Sequence, residues 1–141
     1  MIQDFGREVA ATFLYEVGKT AGRSYMEVAQ KMGLKTETAE DIRRVLEKLG
    51  TLGGWAKIEL VKVDMMEKMG IIRWRNGVSV RDRKSEVPVC NVGRGLMAGG
   101  AEVIFGTECE AIERKCEAMG NEFCEVVVGE SETVMNYVDE L

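Results

Sequence analysis

The sequence predicts an α+β fold in a single domain of residues 1–141, with an antiparallel sheet and helices packed on one side. Apolar residues recur at helical spacing through the first 50 residues, and polar-apolar alternation typical of strands begins near residue 55. A glycine-rich segment of helical character, residues 91–106, interrupts the strands. Helices followed by strands with one inserted helix are the order expected of an α+β layer fold.

The first half of the chain is predicted to contain two helices. Apolar side chains recur at helical spacing through residues 4–31, which predicts a long first helix. Gly18 and Gly22 lie four residues apart within it and form a small-residue notch. Because each glycine costs about 1 kcal/mol in a helix, the notch indicates either close packing on a neighbouring helix or a contact with a partner. Residues 38–49 predict a second helix, which Gly50 follows.

The second half of the chain predicts a strand and two β-hairpins. Residues 55–64 begin with alternating polar and apolar side chains and predict a strand. Residues 71–82 predict the first hairpin, because two β-rich runs flank Asn76-Gly77, the pair that favours a type I′ turn. Residues 107–118 and 122–129 predict the second hairpin, and the tail predicts a short helix.

Composition excludes several classes of function. The net charge of −5 argues against direct nucleic-acid binding, and no apolar run reaches the roughly 20 residues that a membrane span needs. The N-terminal segment lacks the pattern of a signal peptide, so we expect a cytoplasmic protein. The chain has no histidine, which excludes catalysis by Ser-His or Cys-His pairs and every metal site that contains histidine.

Positive charge is concentrated in one segment, residues 73–84, in which five cations accompany the single acid Asp82. The segment predicts either a solvated strand face or a patch that binds an anion or a partner. Its cations are Arg73, Arg75, Arg81, Arg83 and Lys84.

All four cysteines lie at or after residue 90, where they suggest a metal site or a disulfide. A Gly-Asn turn places Cys116 opposite Cys124, and facing residues in antiparallel strands have Cα atoms about 4.5–5.5 Å apart. That separation suits two thiolates on one metal ion as well as a disulfide, although a reducing cytoplasm favours free thiols. Cys90 begins a segment that can return to the same end of the sheet. Glu113 reaches the cysteines only if its strand bulges, and Cys109 competes with it as the fourth ligand.

The cysteine pattern resembles that of a known family. The resemblance covers nearly the whole chain and is strongest over residues 90–128. It points to the 4-vinyl reductase domain family, in particular to its free-standing archaeal members, and implies a fold related to the TRAPP vesicle-tethering subunits and to the sensory domains of aromatic-responsive activators. The residues that carry it are Cys90, Gly95-Leu96-x-x-Gly99 and Glu113-x-x-Cys116-x-Ala118-x-Gly120-x-x-x-Cys124.

The resemblance also implies a zinc site. In the sensory relatives three cysteines and one glutamate hold a zinc ion, a pattern that maps onto Cys90, Glu113, Cys116 and Cys124 and leaves Cys109 outside. Four protein ligands leave no open position on the metal, so we expect the zinc to be structural. Some of these relatives hold the hydroxyl of their ligand with a histidine, which this chain lacks, so its ligand need not be a phenol.

Three functions are compatible with this pattern. The first is a zinc-containing binding or sensory domain for a small hydrocarbon or aromatic molecule. The second is a homodimeric scaffold of the TRAPP type, and the third is a reductase subunit that acts on a tetrapyrrole vinyl group with a partner that supplies the cofactor. The sequence has no hydride-cofactor motif, so we predict no catalytic residues and expect no enzyme activity. For the first function we predict a pocket between the sheet and the helices, lined by Phe13, Met65, Trp74, Met97 and Phe105.

Overall fold

The computed structural model describes residues 2–53, 56–77, 80 and 83–139. A short 3-10 turn, Glu117–Met119, separates the last two strands. The helices and strands, in chain order, are α1 (Ile2–Lys31), α2 (Ala39–Gly53), β1 (Lys57–Asp64), β2 (Met69–Arg75), α3 (Asn91–Phe105), β3 (Glu110–Lys115), β4 (Cys124–Gly129) and α4 (Ser131–Asp139).

The strands form one antiparallel sheet in the order β1-β2-β4-β3. The face of the sheet that carries Ile72 and Val126 packs against α1, α2 and α3 and forms the main core, and we call it the inner face. The opposite, outer face carries Ile71 and Val127 and packs against Val134 of α4. The predicted α+β class is confirmed, and the last helix adds a cover on the outer face.

The first hairpin consists of β1 and β2, and its turn precedes the one predicted at Asn76-Gly77. The hairpin predicted around Asn76-Gly77 is wrong for β2, because β2 pairs with β1 along one edge and with β4 along the other. Of the second strand predicted for that hairpin, residues 78, 79, 81 and 82 lie outside the described residues. The turn falls instead between β1 and β2, where the Asp64 carboxylate accepts hydrogen bonds from the backbone N–H groups two and three residues later.

Glycines bring the backbones of α1 and α3 into direct contact. Gly18 and Gly22 on α1 face α3, and Gly95 and Gly99 on α3 face α1. A Cβ atom added at Gly99 would overlap the backbone carbonyl oxygen of Lys19, so only glycine fits this crossing. The packing interpretation of the glycine notch is therefore confirmed, and α3 is the neighbour that occupies it.

We predict that Gly99→Ala lowers the free energy of unfolding by about 3 kcal/mol or more, because the added methyl group forces the two helices apart. Gly6→Ala is the matched control, since nothing lies within 4 Å of a Cβ atom at that position of α1. The control should be neutral or stabilising by up to about 1 kcal/mol, as expected from helix propensity. Urea unfolding of both variants measures the difference, and equal stability of Gly99→Ala and the wild type would contradict the contact.

Candidate metal centre

Four residues from three parts of the chain converge at one end of the inner face. Cys90 is the N-cap residue of α3, Glu113 lies in β3, Cys116 follows β3 and Cys124 begins β4. Their ligand atoms, three sulfurs and one carboxylate oxygen, all lie within 4.8 Å of one another, and all four residues are buried. This group could hold a metal ion.

An irregularity in β3 brings the glutamate to the cysteines. Residues three apart in a regular strand point to opposite faces, so Glu113 and Cys116 would not meet. The pairing of β3 with β4 shifts register between Glu113 and Lys115, which inserts one extra residue, Arg114. The insertion turns both ligands to the inner face, which is the condition that the sequence pattern required for Glu113 to take part.

Backbone hydrogen bonds fix the orientation of the site. The N–H of Cys90 donates to Glu113 Oε1 at 3.1 Å, and the N–H of Glu117 donates to Cys124 Sγ at 3.3 Å. The N–H of Cys116 donates to the Asn121 side chain at 3.0 Å, which secures the turn between the two cysteines. Cys90 Sγ and Cys124 Sγ lie 3.5 Å apart, and all four cysteines are free thiols.

The electrostatics of the site favour a bound cation. Glu113 Oε2 is buried and has no hydrogen-bond partner within the described part of the chain, and an unpaired buried oxygen of this kind costs stability. Burial raises the pKa of the Glu113 carboxyl to about 7, although hydrogen bonds from Cys90 act in the opposite direction. Hydrogen bonds from the Cys124 and Cys90 thiols lower the pKa of Cys116, because they stabilise its thiolate. A cation among these atoms would supply the missing partner for the carboxylate and for the sulfurs.

Cys109 lies outside this group. It is fully buried before β3, where its thiol donates to the carbonyl oxygen of Thr107 and its N–H donates to the Glu102 carboxylate. The sequence left two candidates for the fourth metal ligand, Glu113 and Cys109. In the structure Glu113, and not Cys109, lies beside the other three cysteines.

A separate cavity of about 290 Å³ lies between the sheet and helices α1, α2 and α3. Among the described residues that line it, the Tyr25 hydroxyl is the single polar side-chain group. One wall is the apolar face of α2, whose residues recur at the spacing expected of a helix. These residues are Ile42, Val45, Leu46 and Leu49.

The structure brings together two of the five residues predicted for the pocket. Met97 and Phe105 of α3 line the cavity. Phe13 points outward from α1 and is 66% exposed, while Trp74 is 1% exposed in the core and Met65 packs on the edge of that core. The described part of the chain contains no helix long and apolar enough to cross a membrane.

Comparison with known proteins confirms the predicted resemblance. Residues 71–130 match the model of the 4-vinyl reductase domain family. The matched segment contains all four residues of the candidate metal centre. The chain matches none of the curated protein sequences.

Solved structures of low sequence identity share the fold. The phenol-responsive sensory domain of the transcription activator PoxR, solved with phenol, is 18% identical with a TM-score of 0.77, over 93% of this chain and 69% of that one. A vinyl-4-reductase family protein from Methanocaldococcus jannaschii is 19% identical with a TM-score of 0.61, over 92% and 81%. Subunit 3 of a trafficking protein particle complex from Naegleria fowleri, covalently bound to palmitic acid, is 17% identical with a TM-score of 0.58, over 86% and 80%.

We predict that the purified chain retains about one metal ion, and that Cys116→Ser or Cys124→Ser loses most of it because each change removes a thiolate ligand. Cys109→Ser is the matched control, since it removes a buried thiol outside the group and should leave the metal content nearly unchanged. Elemental analysis of protein prepared without added metal measures the content. Loss of the metal from Cys109→Ser, with retention in Cys116→Ser, would overturn the ligand assignment.

Proposed function

We propose that this chain is a small-molecule-binding domain of the sensory type, which takes up an apolar ligand between its helices and its sheet. The observation that carries the proposal is the cavity of about 290 Å³, whose size is close to the lower end of the range for ligand pockets. The apolar walls of this open pocket stay in contact with water until something covers them, so burial favours an apolar occupant.

The lining of the cavity defines the class of ligand. No charged group contributes to the described walls, and Tyr25 supplies the one hydroxyl, so a ligand with an ionised head group inside the cavity would be left without a partner. Two of the structural relatives were solved with phenol and with palmitic acid, both of which have a hydrocarbon body. We therefore propose a neutral hydrocarbon or aromatic molecule, or the apolar chain of a larger one.

The proposal includes a structural zinc ion held by Cys90, Glu113, Cys116 and Cys124. Three thiolates and one carboxylate are a soft donor set that suits zinc, and four protein ligands complete its tetrahedral shell. An ion there would supply the positive charge that these buried groups lack. It would also tie the start of α3, which forms one wall of the cavity, to the β3–β4 hairpin.

We predict that toluene and decane raise the unfolding temperature of the wild type by several degrees, because a ligand at about ten times its Kd stabilises the native state by about 1.4 kcal/mol. Gly100→Leu should abolish this shift, since Gly100 lines the cavity and a leucine there fills it. Gly100→Ala is the matched control, because a Cβ atom at this position meets the Met26 side chain at an ordinary 3.6 Å and should leave binding in place.

Thermal denaturation with and without ligand provides this measurement, and metal analysis of each variant confirms that the centre is intact. The binding function would be contradicted if neither hydrocarbon shifted the wild type, or if Gly100→Leu and Gly100→Ala responded alike.

A homodimeric scaffold is the second candidate, and the surface of α1 favours it. Phe5, Val9, Phe13 and Val17 follow one another at intervals of four residues and form a continuous exposed row. Soluble monomers rarely expose a contiguous apolar patch of this kind. Rows of i±4 residues on two copies can interdigitate, and a two-fold axis would let each row cover the other.

We predict that the wild type sediments as a dimer and that Phe13→Glu shifts it to a monomer, because the carboxylate would be buried without a partner in the interface. Met66→Glu is the control, since Met66 is 94% exposed in the turn between β1 and β2 and is not part of the row on α1. Sedimentation velocity over a range of concentrations compares the two. A wild type that stays monomeric, or a dimer unaffected by Phe13→Glu, would refute the scaffold.

A further inference from the structure

The outer face of the sheet divides into two halves. α4 packs over the half that carries Met69, Ile71 and Val127. On the other half, β2 and β4 pair Arg73 with Glu125. Arg73 keeps 33% of its side chain exposed, and Arg75 is also exposed. The basic segment of the sequence, residues 73–84, begins on this second half with Arg73 and Arg75 of β2.

A buried carboxylate holds two arginines in place on this half. Glu125 is 1% exposed, and it accepts hydrogen bonds from Arg73 Nε at 2.6 Å and Arg114 Nε at 2.8 Å. Each arginine engages Glu125 through Nε, so the two terminal nitrogens of each guanidinium group have no hydrogen-bond partner within the described residues. Because the guanidinium group is a planar fork suited to carboxylate and phosphate, the free edge of Arg73 is an oriented donor for an anion, whereas the Arg114 side chain is only 13% exposed.

Further cations lie around an aromatic ring, Phe123, beside the two arginines that bind Glu125. The charged groups of Arg73, Arg75 and Lys115 lie 4.3, 5.5 and 5.0 Å from the centre of the Phe123 ring. Cation–π attraction holds these side chains together against their mutual repulsion. Arg75 and Lys115 form no ion pair with a described residue.

The half-face therefore carries a positive excess on a chain whose net charge is −5. Glu59 lies opposite Arg73 in the register of β1 and β2, but no ion pair joins the two. The charged strand residues of the described chain on this side comprise five cations, Lys57, Arg73, Arg75, Arg114 and Lys115, and two carboxylates, Glu59 and Glu125. Two further carboxylates lie beside the strands: Glu117 accepts a hydrogen bond from the Asn76 N–H, and exposed Glu122 precedes Phe123, so the excess is small.

We propose that this half-face is a docking surface for an acidic segment of a partner protein. Its cations are spread over neighbouring strands, and strands lie about 4.8 Å apart, so the surface matches several carboxylates in a row better than one small anion. A nucleic acid fits less well, because Glu59 lies among the cations and interrupts the positive surface that a continuous line of phosphates needs.

The docking surface is built on the same segments as the candidate metal centre. Arg114 and Lys115 lie between the ligands Glu113 and Cys116, and Phe123 and Glu125 flank the ligand Cys124. The register shift beside Arg114 lets Glu113 and Cys116 face inward while Arg114 and Lys115 lie on the outer side, and alternation along β4 separates Cys124 from Glu125. The centre therefore provides a rigid base for the surface.

The test uses a fluorescently labelled glutamate-rich peptide and a glutamine counterpart of the same length, measured by fluorescence anisotropy. We expect the wild type to bind the glutamate peptide and not the glutamine peptide, with an affinity that falls as salt is added. The double variant Arg75→Glu/Lys115→Glu should bind about tenfold more weakly or worse, because two attractions become repulsions. Neither side chain forms an ion pair with Glu125, but Lys115 lies opposite Glu125 in the register of β3 and β4, so circular dichroism and metal analysis check that the fold is retained.

The control is Lys31→Glu/Lys35→Glu, which makes the same change of net charge at exposed positions near the end of α1. It should change the affinity by less than about twofold, since distant exposed charges are screened. Equal weakening in both double variants, or no binding of the glutamate peptide to the wild type, would overturn the docking surface. Tighter binding of a single-stranded oligonucleotide with the same dependence on Arg75 and Lys115 would also overturn it, in favour of a nucleic-acid surface.

Discussion

The arrangement of this molecule depends on a cluster of three thiols and one carboxylate that the fold buries with no ion pair from the described residues. Cys90, Cys116 and Cys124 are each 1% exposed or less, and Glu113 keeps an unpartnered oxygen in their midst. Burying such groups is costly unless they are paired or bind a metal. Zinc binding by peptides with comparable ligands contributes about 10–16 kcal/mol near neutral pH, which exceeds the net stability of most domains. The proposed ion would therefore stabilise this end of the fold.

The position of the centre links it to both faces of the sheet. Cys90 is the N-cap residue of α3, and the glycines of α3 pack directly against the backbone of α1. The position of α1 and α3 relative to the sheet then creates the apolar cavity, with α2 as its remaining wall. On the outer face, the residues between the ligands form the cationic surface around Phe123. The candidate centre thus lies between the apolar cavity and the basic surface, which are on opposite sides of the sheet.

The sequence predicted the parts of this arrangement that follow from local patterns. The periodicity of residues 91–105 gave α3, and the turn after Cys116 gave the second hairpin, because these signals are short-range. The participation of Glu113 could not be derived from spacing, since it requires a bulge that regular strand geometry does not contain. The resemblance to a known family supplied that residue, and the register shift beside Arg114 provides the physical reason.

Other features depend on tertiary pairing, which local patterns do not encode. Asn76-Gly77 is a strong turn signal, yet the strand before it already has neighbours on both edges. The turn that forms instead contains Lys68 with φ of 55°, a conformation that a non-glycine residue rarely adopts, and its one readable signal is the side chain of Asp64. Phe13 illustrates the same limit, because α1 carries apolar residues on both its inner and outer sides and periodicity does not say which side faces the cavity.

X-ray absorption at the metal edge of the purified chain tests the central claim most directly, because it counts the atoms bound to the ion. We expect zinc with three sulfur neighbours at about 2.3 Å and one oxygen neighbour at about 2.0–2.2 Å. Four sulfur neighbours would show that Cys109 replaces Glu113, and a shell of oxygen or nitrogen atoms without sulfur would place the ion elsewhere. Either result would contradict the centre described for Cys90, Glu113, Cys116 and Cys124.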